Sequence, residues 1–455
     1  MQPERPILLR TLLVVLPSAA ALAAGRLNIA CFYFYGMLTL VMLYDIFERR
    51  PYHVMAVLLA ATPMLILLRG HLLYSGPQLL YILALAQAPL VDWQRLRRNH
   101  LVLCMLAASF LYWGASFAFT GSYASNYRAV ELAVTAALIY LLAQHRLFFR
   151  PALFCFALSA IAVGFGLLPN GPMALDGQEV FRLGLARVEG YSVGNPISFG
   201  TTIAVAFLFT ISMGGSWLGL AQRRKTLLAV QGISAVWLVL STSRGSWAAA
   251  LAGILLIYWT EPRRRPMLLA GAVLVVGAGA LLMAFTSDST LTSYVDKTFS
   301  SDTSMSKLTT GRSLQWASFP AAWSDAPIFG HGPGTSLREG RKYFEENLIY
   351  HALLLQIGVE TGTFGLICVF LFLYLVFYKA YRYYRITGDP IALIGITGYF
   401  VVSLTVPGLD AASASMLGLG LIGTDLSNFV VIPDRTAAPG LVMPIALRPN
   451  LATGE

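Results

Sequence analysis

The chain has 455 residues, of which 57% are hydrophobic and only 12% are charged, and its mean hydropathy is +0.66. These values exclude a soluble globular protein, because runs of about twenty apolar residues, each long enough to cross a bilayer as a helix, recur along the chain. The formal net charge of +10 does not indicate a nucleic-acid partner, because the basic residues form short clusters between apolar runs. The sequence predicts an all-α, polytopic transmembrane protein that contacts the lipid bilayer and no nucleic acid.

Hydropathy predicts about fourteen membrane spans, with an uncertainty of about two because short or tilted helices blur the count. Arg5 and Arg10, followed by an apolar run, resemble the start of a signal peptide. With so many spans behind them, we interpret this segment as an uncleaved first helix. The predicted spans lie near residues 9–25, 28–46, 53–68, 76–91, 100–119, 129–145, 151–168, 196–214, 226–242, 246–260, 267–285, 363–381, 390–408 and 412–431.

One apolar segment, residues 347–381, is too long for a single ordinary span. Gly362 and Gly365 divide it, and glycine inside an apolar run commonly marks a break in a helix. We therefore predict a helix at the outer membrane interface over residues 347–360 and a membrane crossing over residues 363–381.

The basic clusters fall in every second loop, which by the positive-inside rule places these loops and both termini in the cytoplasm. Among the opposite, external loops only residues 286–347 form a large one. We predict N-terminal transmembrane helices over residues 1–195, a second transmembrane region over 196–431 that includes the external loop 286–362, and a cytoplasmic tail over 432–455. The clusters are Arg49/Arg50, Arg95/Arg97/Arg98, Arg146/Arg150, Arg223/Arg224/Lys225, Arg263/Arg264/Arg265 and Lys379/Arg382/Arg385.

The sequence offers no pattern for a metal or a cofactor, and we expect neither. The cysteines lie inside apolar spans without metal-ligand spacing, and no external D-x-D or H-E-x-x-H pattern occurs. Acidic residues are nearly absent from the spans, since Glu131 and Glu360 lie at span edges, and this argues against an ion-coupled transporter. The cysteines are Cys31, Cys104, Cys155 and Cys368.

His351 is the candidate general base. It opens an apolar helix on the external side, and imidazole titrates near neutral pH, so it could accept a proton from a substrate. The alternative is an interfacial histidine satisfied by water. His331 stands in a turn between glycines, in the sequence GHGPG, and we interpret it as structural.

Three external arginines are candidates for anion binding. Arg244 stands in STSRGSW, a tight turn between two spans, where its planar set of donors suits a phosphate or diphosphate. The alternative for Arg244 is a membrane anchor that snorkels to the surface. Arg312, in TTGRSLQW, and Arg187, in ARVEGYSVGNP with Glu189 as a possible partner, would each be ordinary loop arginines if taken alone.

Taken together, external arginines and one histidine would supply what transfer from a lipid diphosphate requires. Cations hold and neutralise the leaving diphosphate, and a base takes a proton from an acceptor hydroxyl. The sequence FGHGPG lacks the lysine of a phosphate-binding loop, so that interpretation is weak.

These motifs resemble the O-antigen ligase/polymerase superfamily of bacterial membrane glycosyltransferases. The resemblance covers about residues 241–365 and rests on STSRGSW, on TTGRSLQW followed by PIFGHGPG, and on HALLLQIGVETGTFG. His351, Gly362 and Gly365 fit the histidine and glycine spacing of the ligase signature. Ala352 replaces its polar second residue, and Cys368 stands where a third glycine is expected.

The resemblance implies a GT-C-like helical fold and a metal-independent, inverting transfer on the periplasmic side of the bacterial inner membrane. The implied donor is a glycan linked to undecaprenyl diphosphate. By the same resemblance, Arg244 and Arg312 would bind the diphosphate, His351 would activate the acceptor hydroxyl, and Arg187 is a weaker candidate for donor binding.

The expected acceptor is lipid A–core, which would make the protein an O-antigen ligase. The first alternative is a polysaccharide polymerase, which uses another lipid-linked repeat unit as its acceptor. A protein O-oligosaccharyltransferase ranks third, because no long C-terminal periplasmic region follows the last predicted span. A non-enzymatic transporter of lipid-linked glycans is the alternative from another functional class.

Overall fold

The structure is a computed structural model. It describes residues 4–68, 76–87, 90, 93–121, 127–143, 145–170, 173–175, 178–180, 186–188, 191–193, 195–212, 221–241, 243–262, 265, 266, 268, 312–344, 350, 352–405 and 411–425. The predicted span 267–285 lies almost entirely outside the described residues, as does the predicted tail 432–455.

The first half of the chain is a series of helices. They are α1 (Glu4–Ala23), α2 (Leu27–Phe47), α3 (Pro51–Leu67), α4 (Gly76–Leu85), the short α5 (Trp93–Arg98), α6 (His100–Thr120), α7 (Tyr127–Ala143) and α8 (Arg146–Leu167), which a single 3-10 turn (Leu168–Asn170) extends.

Two small hairpins follow in the predicted external loop between α8 and the next helix. Strand β1 (Met173–Leu175) pairs antiparallel with β2 (Gln178–Val180), and β3 (Ala186–Val188) pairs antiparallel with β4 (Tyr191–Val193). Strands this short do not form a layer of the fold, and the predicted all-α class stands.

The second half is also helical. It contains α9 (Pro196–Ser212), α10 (Ala221–Leu240), α11 (Arg244–Thr260), α12 (Arg312–Ser324), α13 (Ser336–Phe344), α14 (Leu353–Thr387), α15 (Ile391–Ser403) and α16 (Ala411–Ile422).

The described helices support a polytopic membrane protein. Five are long and apolar enough to cross a bilayer, and further apolar helices of 10–17 residues accompany them in the part of the chain that the structure describes. The predicted spans other than 267–285 each coincide with a helix, and most predicted ends fall within a few residues of the observed ones. The five are Arg5–Ala23, Leu27–Phe47, His100–Thr120, Leu147–Asn170 and Leu353–Thr387.

The core is made of helices packed closely through small residues. Helix α8 packs against α1, α3 and α9, while α16 packs against α7 and α15. A Cβ atom on Gly395 would lie 2.4 Å from Leu419 Cβ, and one on Gly418 would lie 2.8 Å from Ile139 Cβ. Because lipid chains are as apolar as the helix surfaces, close van der Waals packing of this kind holds membrane helices together.

Helix α14 is bent at Gly362, as the glycine spacing predicts. Gly362 has φ 64° and ψ −158°, a conformation that breaks the helix into an outer segment before it and a long segment after it. Only glycine adopts this backbone region readily, because it has no Cβ atom. The outer segment begins at Leu353, and of the earlier positions in the predicted helix, residues 347–349 and 351 lie outside the described residues.

Candidate functional site

Arg244 is the first residue of α11 and is partly buried. Ser243 precedes it as the N-cap, with the extended φ −90° and ψ 99° typical of that position. The N-terminus of a helix carries unpaired amide groups and a partial positive charge. The fold therefore presents the Arg244 backbone at an end of a helix that favours anions.

Buried hydroxyl groups fix the turn that carries Arg244. Ser241, Ser243, Ser246 and Thr201 are each 4% exposed or less. Ser246 Oγ lies 2.8 Å from Ser243 Oγ and 3.3 Å from Thr201 Oγ1, which joins the start of α11 to α9.

Two glycines let this turn pack closely. A Cβ atom on Gly200 would lie 2.7 Å from Ser243 Cβ. On the other side, a Cβ atom on Gly245 would lie 2.2 Å from Thr405 Oγ1, next to the end of α15. The turn around Arg244 is thus held between α9 and the residues that follow α15.

Arg187 lies in β3, opposite Ser192 of β4. Val188 and Val193 of this hairpin are buried, at 1% and 0% exposure, and β4 ends shortly before α9 begins. The hairpin carrying Arg187 thus leads directly into the helix that contacts the Arg244 turn. The side chain of Arg187 is not among those that the structure describes.

Arg312 is the first residue of α12, and its side chain, like that of Arg187, is not among those that the structure describes. Helix α12 packs on the outer segment of α14. A Cβ atom on Gly358 would lie 2.7 Å from the Phe319 ring. The shared apolar cluster contains Phe319, Ala322, Tyr350, Ala352, Leu355 and Val359.

His351 itself lies outside the described residues. Its neighbours Tyr350 and Ala352 are buried, at 0% and 3% exposure, and belong to the cluster with α12. The structure therefore brings together the helix that begins at Arg312 and the segment that flanks His351. The turn that carries Arg244 is held by a different set of contacts, with α9 and with Thr405.

The glycine-rich loop after α12 docks on the bend of α14. The amide of His331 donates to the Val359 carbonyl at 2.9 Å, and the amide of Gly332 donates to the Glu360 carbonyl at 2.9 Å. A Cβ atom on Gly362 would come within 2.5 Å of the Ile328 carbonyl carbon. The loop and the bend therefore fit each other only because glycine stands at the contact.

His331 has a structural environment, in agreement with the interpretation of its sequence context. Its Nε2 donates to the Ala322 carbonyl at 2.8 Å, which ties the loop to α12. Its Nδ1 lies 3.8 Å from the carboxylate of the buried Glu339.

Glu360 is the residue whose importance the sequence did not reveal. Its side chain is fully buried, and its carboxylate accepts hydrogen bonds from the Tyr112 hydroxyl, the Gly334 amide at 2.7 Å, the Ser336 amide at 3.2 Å and Gln356 Nε2 at 3.2 Å. It thereby joins α6, the glycine-rich loop and the N-terminus of α13 to α14.

A sequence signal for Glu360 existed. An acid next to a long apolar run is costly unless it is paired, so its presence alone indicates a specific environment. The partners could not be inferred, because Gly334, Ser336 and Tyr112 are 26, 24 and 248 positions away.

The described residues contain no group of three or more His, Cys, Asp or Glu side chains that could hold a metal ion. What the described geometry supplies is a helix N-terminus beside an arginine and a second arginine on a helix that packs near the segment flanking His351. Such an arrangement suits an anionic substrate.

The family model for O-antigen ligase matches residues 229–370 of the chain. The match includes Arg244, Arg312, Glu360 and the position of His351, whereas Arg187 lies outside it. No curated protein matches the chain. The family match confirms the resemblance to the O-antigen ligase-like superfamily and supports an activity of the ligase or polymerase type.

Proposed function

We propose that this protein is an inner-membrane glycosyltransferase of the O-antigen ligase-like superfamily, which moves a glycan from undecaprenyl diphosphate to an acceptor hydroxyl of lipid A–core in the periplasm. The observation that carries the proposal is the family match over residues 229–370, which contains three of the four candidate site residues.

In this proposal Arg244 and Arg312 bind the diphosphate of the donor. Both begin a helix, so each guanidinium would act beside the first backbone amide groups and the positive end of a helix. As the bond to the sugar breaks, negative charge grows on the diphosphate, and fixed cations stabilise that charge. Arg187, on the hairpin before α9, is the candidate for a further donor contact.

The proposed transfer is a direct displacement that needs no metal and inverts the anomeric centre. His351 removes the proton from the acceptor hydroxyl while the hydroxyl oxygen attacks the anomeric carbon. The bond between that carbon and the diphosphate oxygen breaks, and its electron pair leaves with undecaprenyl diphosphate. The imidazolium then returns its proton to solvent.

A polysaccharide polymerase is the second candidate, and one observation favours it. Ala352 stands where the ligase signature has a polar residue, and it is 3% exposed within the apolar cluster formed with α12. This environment would not satisfy a polar side chain, so the site departs from the ligase pattern in packing as well as in sequence.

The experiment that separates these functions is a lipopolysaccharide gel from a strain that lacks the gene, complemented with the wild-type protein as the control. For a ligase we expect long glycan to disappear from the core while polyprenyl-linked polymer accumulates. A core that carries a single repeat unit would identify a polymerase. An unchanged ladder would contradict lipid A–core as the acceptor.

A further inference from the structure

An apolar patch lies on the surface beside the start of the long segment of α14. Two of its residues belong to the glycine-rich loop and two to the helix, and the rings of Phe329 and Phe364 lie 6.1 Å apart. Such contiguous exposure of large apolar side chains indicates a contact surface. We call the four residues the apolar tip: Ile328 (63% exposed), Phe329 (72%), Phe364 (60%) and Ile367 (60%).

Hydrogen bonds hold Ile328 and Phe329 of the loop beside Phe364 and Ile367 of the helix. The amide and the hydroxyl of Thr363 both donate to the Pro327 carbonyl, each at 2.8 Å. The amide of Phe364 donates to the Ile328 carbonyl at 3.1 Å. The loop residues therefore share the depth at which the long segment of α14 begins.

The far end of α14 indicates the depth in the membrane at which the long segment of α14 begins. Arg382 and Arg385 lie over the rings of Tyr378 and Tyr381, at 6.0 and 5.9 Å, and paired aromatic and basic side chains are typical of a membrane interface. Phe364 precedes Tyr381 by seventeen positions. This corresponds to about 26 Å of helix, within a hydrocarbon core of about 30 Å.

The face of α14 between these ends exposes large apolar side chains. Its exposed apolar side chains recur every three or four positions, which places them on one side of the helix. The apolar tip continues this face without a break. The large apolar side chains exposed after Ile367 on this helix are Phe370, Leu371, Tyr374, Phe377, Tyr378 and Tyr381.

The loop also has a polar side, and its position indicates the boundary between the aqueous phase and the membrane. Asp325 and Lys342 form an ion pair of 2.7 Å, with side chains that are 45% and 57% exposed. Asp325 precedes Ile328 by only three positions. A charged pair and an apolar surface so close together are the pattern of a segment that lies at the boundary between water and hydrocarbon.

We propose that the apolar tip is a lipid-binding surface, and that Ile328 and Phe329 enter the hydrocarbon of the leaflet on the loop side. The partner is bilayer lipid, and the attraction is the removal of apolar side chains from water. The anchored loop is the one that Glu360 joins to α6 and α14. Lipid contact would therefore fix the depth of the outer segment that follows His351.

The test uses the full chain in lipid nanodiscs, with the exposed Cys104 and Cys368 replaced by alanine. An environment-sensitive fluorophore is attached to F329C, with I328C as a second site. L371C, on the exposed apolar face of α14 beyond the tip, is the positive control, and D325C is the matched control on the polar side of the same loop. Quenching by brominated lipid is compared with quenching by aqueous iodide for each monodisperse variant.

We expect brominated lipid to quench F329C and I328C several-fold more strongly than D325C, and iodide to show the reverse order. Iodide quenching at F329C equal to that at D325C would place the tip in water and overturn the proposal. Protection from both quenchers would mean that another protein surface covers the tip. Loss of lipid quenching on addition of undecaprenyl phosphate would assign the tip to a prenyl chain, which also overturns it.

Discussion

The hydroxyl cluster around Ser246 holds the turn that carries Arg244 and joins it to α9. Lysine keeps the charge but cannot reproduce two parallel hydrogen bonds to a diphosphate. We expect R244K to lower kcat/KM for transfer roughly ten- to hundredfold, the effect of losing about 1.5–3 kcal/mol of charged hydrogen bonding. The exposed Arg26, between α1 and α2, gives the matched control R26K. Wild-type donor affinity in R244K would contradict the diphosphate role.

A substitution at His351 should affect the catalytic step and leave donor binding unchanged. If its imidazole removes the acceptor proton, H351A should lose about 10²- to 10⁴-fold in kcat while donor affinity and the amount of inserted protein stay unchanged. The control is H100A, because His100 is exposed at the opposite end of α6 from the glycine-rich loop. Transfer by H351A at a rate near that of the wild type would rule out the general-base role.

Glu360 supports the local structure through several partners, so its variants should form a graded series. E360A leaves the amides of Gly334 and Ser336 without their acceptor, and we expect a loss of about 3 kcal/mol or more in stability. Y112F removes one donor and should cost about 1 kcal/mol. Thermal unfolding in detergent and protease sensitivity of the loop measure both effects. Equal stability of E360A and the wild type would contradict the anchoring role.

At the scale of elements, the bend of α14 depends on one residue. G362A would place a Cβ atom 2.5 Å from the Ile328 carbonyl in a backbone region that side chains rarely adopt. We expect G362A to lower the melting temperature and to free the glycine-rich loop for proteolysis. In the matched control G232A, on α10, a Cβ atom meets nothing within 4 Å. A G362A protein as stable as G232A would show that the bend tolerates a side chain.

The helices were predictable because apolar length is a local property of the chain. The division of residues 347–381 at Gly362 was predictable for the same reason, since glycine acts on its own backbone. The docking of the loop on that bend was not predictable, because it depends on pairs such as His331 with Val359 and Gly334 with Glu360. The hairpin with Arg187 also escaped prediction, because three-residue strands leave no periodic pattern.

For the whole molecule, the alternation of helices and basic clusters predicts a topology that can be tested directly. Helix α6 begins at His100 after a basic cluster and is capped by Gly121, whereas α14 is capped by Gly388 after Lys379, Arg382 and Arg385. The positive-inside rule therefore assigns Gly121 to the periplasm and Gly388 to the cytoplasm.

Reporter fusions at these two helix ends distinguish the two sides of the membrane. Alkaline phosphatase should be active after Gly121 and inactive after Gly388, and a fluorescent protein that folds only in the cytoplasm should give the opposite result. Both fusions follow a left-handed C-cap, so the preceding helix is complete in each. Phosphatase activity at Gly388 would show that the orientation of the protein in the membrane is opposite to the predicted one. It would then place the glycine-rich loop and Arg312 in the cytoplasm, where a periplasmic transfer to lipid A–core is impossible.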